Sequence, residues 1–97
     1  MNQYEITLVF RANLEEEQRN EIIGRLKPYI TAGASDAPEI VMKNWGKRSL
    51  AYPIKKEQEG HYVLLECSMQ PTAIRDLERN ILYTDQILRH LVVRRDV

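Results

Sequence analysis

From Tyr4 to Phe10 the residues Tyr4, Ile6, Leu8 and Phe10 alternate with Glu5, Thr7 and Val9. That period of two puts every second side chain on one face of an extended strand, so one face must be covered by another layer. Leu14, Gln18, Ile22, Leu26, Tyr29 and Ile30, with Ile23 beside them, then recur at spacings of three and four. A first helix is therefore expected from about Leu14 to Ile30. Asn13, followed by Glu16, stands where its side-chain oxygen can cap the first amides, and the early glutamates favour the positive end of the helix dipole. Pro28 is expected to distort the last turn.

Thr31 to Pro38, rich in Ala, Gly, Ser and Asp, reads as a loop. Glu39 to Ile54 resumes an extended pattern broken at Trp45-Gly46, which is expected to be a long, bulged second strand. Pro53 has no N–H to give to a ladder, so this strand belongs at a sheet edge. Glu57 to Gly60 reads as a polar turn, and His61 to Met69 as the third strand of a hairpin. Pro71 suits the first turn of a second helix with a buried stripe of Ile74, Leu77 and Ile81, in which Arg75 and Arg79 can meet Asp76 and Glu78. Tyr83-Thr84-Asp85 turns the chain into a fourth strand, about Ile87 to Arg94.

The order strand, helix, strand, strand, helix, strand is the split β-α-β unit of ferredoxin-like α+β domains. Right-handed crossovers put both helices on one face of a four-stranded antiparallel sheet, with strands one and three central and strand two at an edge. In that arrangement Ile6, Leu8, Val63 and Leu65 lie under the helices. Val9, Tyr62 and Leu64 face away from them and are candidate partner-binding residues, because a continuous exposed apolar patch marks an interface. At 97 residues and 43% hydrophobic, the chain has room for a single domain, residues 1–97, around one core.

Fourteen basic and fourteen acidic residues give a net charge of zero. A neutral domain cannot hold nucleic acid through bulk charge. The distribution is less even: from Lys43 to Lys56 the charged residues are Lys43, Lys47, Arg48, Lys55 and Lys56, with no acid among them, and Arg89, Arg94 and Arg95 follow near the end. The lone Cys67 alternates with Val63, Leu65 and Met69, so it reads as a small buried group with no disulfide partner. Neither a leader pattern nor a membrane-length apolar run appears, and a cytoplasmic setting is expected. His61, His90 and Cys67 lack the paired spacing of a metal site. With no phosphate loop and no nucleophile elbow, the chain is expected to be no enzyme and to need no cofactor or small-molecule substrate.

Two other families share this fold or this order of elements. Acylphosphatases hold a phosphate with an Arg and an Asn, and Arg11 follows the first strand here. Yet Phe10-Arg11-Ala12-Asn13-Leu14 has no glycine-rich cradle and passes straight into the helix. RNA-recognition motifs stack bases on aromatics of their two central strands. Gly60-His61-Tyr62-Val63 is similar to the start of that signature, but Leu64 and Leu65 follow, and strand one offers Glu5, Thr7 and Val9 outward, so Tyr62 would stand alone.

The run Trp45-Gly46-Lys47-Arg48-Ser49-Leu50-Ala51-Tyr52-Pro53-Ile54 resembles the signature of the bacterial small-subunit ribosomal protein S6 family. The resemblance extends through Tyr4-Glu5-Ile6, Gly60-His61-Tyr62-Val63-Leu64 and Asp85-Gln86-Ile87-Leu88-Arg89-His90-Leu91-Val92-Val93-Arg94. It implies a structural, non-catalytic ribosomal protein that binds the central domain, or platform, of the small-subunit ribosomal RNA together with ribosomal protein S18. Lys47 stands where the family commonly has Arg, which keeps the charge and loses the planar two-pronged donor. The basic residues expected to touch RNA are Lys47, Arg48, Lys55, Lys56, Arg89 and Arg94. Trp45 and Tyr52 are expected to pack across the bulge, and Gly46 to supply its backbone freedom.

Overall fold

The computed structural model describes residues 2–32 and 39–95, so most of the loop expected at Thr31 to Pro38 lies outside the described residues. The elements run β1 (Asn2–Arg11), α1 (Glu16–Ile30), β2 (Val41–Ile54), β3 (Glu57–Met69), a 3₁₀ turn (Pro71–Ala73) leading into α2 (Ile74–Leu82), and β4 (Ile87–Arg95). The four strands form one antiparallel sheet in the order β2-β3-β1-β4. This is the ferredoxin-like arrangement that the periodicities predict, with β2 and its Pro53 at an edge.

The alternation in β1 decides which face is covered. Ile6, Leu8 and Phe10 join Val63, Leu65 and Met69 of β3 in a core closed by Ile22, Ile23, Leu26 and Ile30 of α1 and by Leu77 and Ile81 of α2. Each such side chain contributes about 1.5–3 kcal/mol through removal from water. Cys67 belongs to the same core, and burial pushes its thiol pKa up to about 11.

Two local features depart from the expectation. The chain first makes a turn, in which the Leu14 N–H donates to the Arg11 carbonyl at 3.3 Å, and this leaves Asn13 exposed in the connection. Helix α1 therefore begins two residues later than expected, at Glu16, with Glu15 as its cap. The Glu15 N–H donates to Gln18 Oε1 at 3.0 Å in a capping box. The helix runs through Pro28 to Ile30, the end expected for it, and closes with the Thr31 N–H on the Lys27 carbonyl at 2.9 Å. The β2–β3 turn is made by Lys55 and Lys56 alone, both left-handed at φ 49° and 68°, and Glu57 to Gly60 are already strand. A two-residue turn with both φ values positive matches the twist of its strands, although its usual Asn or Gly is absent here.

Strand β2 is irregular at two places. Asn44 pairs with Val63 and Gly46 with Tyr62, so Trp45 is an extra residue, and Gly46 at φ +86° supplies the backbone freedom expected of it. Further on, Ser49 pairs with Glu59 and Ile54 with Glu57, leaving Leu50 to Pro53 opposite Gln58 alone. The segment Leu50-Ala51-Tyr52-Pro53 is thus an arch, and Pro53 sits where no ladder bond is required of it.

Candidate nucleic-acid interface

The face of the sheet away from the helices can be read in rows from the strand registers. One row runs Val41, Glu66, Glu5, Val93 across β2, β3, β1 and β4; the next runs Lys43, Leu64, Thr7, Leu91; the third runs Gly46, Tyr62, Val9, Arg89. Glu5 and Glu66 are directly opposed, and two like charges so placed disfavour pairing. Cations from both edge strands offset this. Lys43 Nζ lies 2.9 Å from Glu66, while Arg95 Nε lies 3.2 Å from Glu5 and its Nη1 3.4 Å from Glu66. The hydrogen bond from Lys43 is the main reason that the Glu66 carboxyl sits below its ordinary pKa. Two members of the basic tracts, Lys43 and Arg95, are therefore occupied with holding this row together.

The arch covers the other end of the same face. Leu50 leans over Gly60 towards Val9, and the Arg89 guanidinium donates to the Tyr52 hydroxyl at 3.1 Å, so a residue of one edge strand reaches the opposite edge. Val9 and Leu64 consequently face away from the helices, as expected, but are only 3% and 6% exposed, and Tyr62 is half-buried. The exposed apolar side chains of this face are instead Leu91 and Val93 on β4 and Val41 on β2. Trp45 and Tyr52, expected to pack across the bulge, are 46% and 58% exposed, because an edge strand has no outer neighbour to bury them. Arg48 stacks over the Trp45 ring at 5.7 Å from its centroid.

The six basic residues singled out from the sequence do not form one stripe. Arg48 and Arg89 lie on the open face, and Lys55 and Lys56 form the tip of the hairpin. Lys47 pairs with His61 and Arg94 with the buried Tyr4, which places both on the helix side. There the His61 imidazole has its pKa lowered, first by burial and then by the nearby Arg19 and Lys47 cations, and its Nε2 lies 2.8 Å from Asn44 Oδ1.

Arg11, which the sequence reading left without partners, gathers acidic groups from two other segments at this end of the sheet. Its Nη1 lies 3.0 Å from Glu57, its Nε donates to the Asp85 carbonyl at 3.1 Å, and its Nη2 lies 3.4 Å from the Asp85 carboxylate. The same carboxylate lies 3.6 Å from Lys55 Nζ. The only trace of this in the sequence is a basic residue directly after a strand, since Glu57 and Asp85 are 46 and 74 positions away. Among the described residues no group of three metal-ligating side chains gathers, and no helix is long and apolar enough to cross a membrane.

A four-stranded sheet with two helices on one face, cations at one end of the other face and exposed apolar residues along an edge describes a domain of the ferredoxin-like class. The family model described as ribosomal protein S6 matches residues 3–94. Similar curated proteins include small ribosomal subunit protein bS6 of Desulforudis audaxviator, 38% identical with 99% of this chain and 100% of that protein covered. Another is bS6 of Caldanaerobacter subterraneus, 41% identical with 99% of each covered. Among solved structures, the ribosomal protein S6 crystal structure from Thermotoga maritima superimposes with a TM-score of 0.82 at 28% identity, over 97% of this chain and 87% of that one. The chain belongs to the ribosomal protein S6 family, a family of structural ribosomal proteins that are not enzymes.

Proposed function

We propose that this structural constituent of the small ribosomal subunit works in the cytoplasm by binding the central domain of the ribosomal RNA jointly with ribosomal protein S18. The observation that carries the reading is the gathering of Arg48, Arg89, Lys55 and Lys56 at one end of a face whose β4 edge exposes Leu91 and Val93. Cations there would contact phosphates and fix orientation without reading sequence. The apolar edge would receive the protein partner, with Tyr62 contributing from the middle of the face and Val9 and Leu64 supporting it from beneath. Lys47 and Arg94, on the helix side, would meet RNA only where it wraps an edge of the sheet.

Joint binding follows from the small number of cations. With about three phosphate contacts and a slope of about 0.7–0.9 per contact, a fourfold rise in salt lowers affinity roughly 20–40-fold. A partner engaged at the same time restores it by making the second binding event intramolecular. The test is filter binding of central-domain RNA at about 0.15 M salt, where charges are screened beyond about 8 Å. The pair should bind much more tightly than either chain, and submicromolar binding by this chain alone would refute the coupling. Arg48→Glu should leave the fold intact and lower incorporation into the particle in competition with the unaltered protein; equal incorporation would remove Arg48 from the interface.

A further inference from the structure

We propose that the Asp85 carboxylate is a built-in stand-in for an RNA phosphate, which takes its place between Arg11 and Lys55 in the complex. The inference rests on the RNA-binding reading above and adds a site to it. Two cations well separated in the chain, Arg11 and Lys55, converge on one carboxylate, at 3.4 Å and 3.6 Å. Both separations are longer than the 2.7–2.9 Å or so of a tight charge-assisted hydrogen bond. The Asp85 side chain is also 79% exposed, so it faces water and can be displaced.

Arg11 does not depend on that carboxylate for its position. Arg11 is only 22% exposed and is pinned by Glu57 at 3.0 Å and by the backbone carbonyl of residue 85 at 3.1 Å. Its Nη2 is left as the arm that points at the exchangeable group. The backbone of Lys55 is set by the hairpin turn, in which it and Lys56 both hold positive φ, and its side chain leaves that tip towards Asp85. One guanidinium arm and one ammonium facing a shared, solvent-exposed anion position have the charge and spacing for a phosphate. Asp85 holds the Lys55 side chain near Arg11 until the phosphate arrives, because an anion between the two cations offsets their mutual repulsion.

The test compares three variants with the unaltered chain, each paired with S18, in filter binding of central-domain RNA across a salt series. Asp85→Asn keeps the backbone carbonyl that Arg11 uses and removes the competing charge, so affinity should rise about twofold to fivefold, the scale of an exposed ion pair. Lys55→Gln should lower affinity and reduce the slope of log affinity against log salt by about 0.7–0.9, the loss of one phosphate contact. It is chosen over an Arg11 variant because it leaves the Arg11–Glu57 pair in place. Asp76→Asn, which removes an equal charge from the exposed side of α2, should change neither quantity. An equal rise with Asp76→Asn, an unchanged affinity with Asp85→Asn, or an unchanged slope with Lys55→Gln would each overturn the proposal while leaving joint RNA binding intact. Absence of RNA binding by the unaltered pair would overturn the RNA-binding reading and this site with it.

Discussion

Gly60 is buried under the arch of β2, and replacing it by alanine probes whether that arch is packed as described. A Cβ at this position would press on Val9 Cγ1 well inside van der Waals contact and would come to 3.4 Å from both Leu50 Cδ2 and the Phe10 carbonyl oxygen. Val9 cannot step aside easily, since its β-branched side chain has restricted rotamers and it is itself buried. Overpacking of this kind costs about 1–3 kcal/mol. For a domain of this size each kcal/mol corresponds to about 4–8 °C in Tm, so a loss of 2 kcal/mol lowers Tm by roughly 8–16 °C. Urea denaturation should show a lower midpoint with an unchanged slope. The pairing with Val9 supplies the sharper readout. In Val9→Ala/Gly60→Ala the obstructing methyl is gone, so the double variant should be more stable than the sum of the single effects requires, by about 0.5–2 kcal/mol. Strict additivity would mean that Val9 does not lie against Gly60, and a neutral Gly60→Ala that the space above Gly60 is open.

Leu8→Ala should cost about 2–5 kcal/mol in denaturant unfolding, and Val9→Ala less, because Leu8 is enclosed by both helices while Val9 loses fewer atoms from a thinner cover. Cys67 should resist a water-soluble thiol reagent at pH 8 in the folded protein and react on unfolding, since burial raises its pKa to about 11; rapid labelling of the native chain would contradict its place in the core. His61 has a folded pKa below its unfolded value of 6.5, so the folded state binds fewer protons than the unfolded chain in that window. Its contribution is present above pH 6.5 and is lost as pH falls through the lowered pKa. His61→Gln should flatten that part of the stability profile, as measured by urea midpoints from pH 7.5 to 5.

Much of this protein can be read from residue order because its elements are governed by local periodicity. The alternation of Tyr4, Ile6, Leu8 and Phe10 and the three-to-four spacing of Ile22, Leu26 and Ile30 specify which face of each element is apolar. With right-handed crossovers, six such elements have few ways to bury those faces together. Pro53 marks the edge because a missing N–H is tolerated only there or at a bulge, and here it meets both conditions. The cap at Glu15 and the Lys55-Lys56 turn were not legible, since in both cases the backbone adopts a conformation that residue preferences disfavour or leave open and that the surrounding structure enforces. The basic tract from Lys43 to Lys56 is visible as composition, but strand alternation sends Lys47 and Arg48 to opposite faces, Lys43 is paired with Glu66, and only the arch brings Tyr52 to Arg89. Arg11 and Lys55 meet Asp85 through the return of β4 alongside β1 and the reach of the hairpin across the sheet. Charge neutrality and the apolar pattern are sums and spacings along a chain, so the sequence determines them directly. Which cations share a carboxylate, and which apolar groups remain in water, depends on contacts between residues far apart in the chain, and the tertiary structure alone decides those.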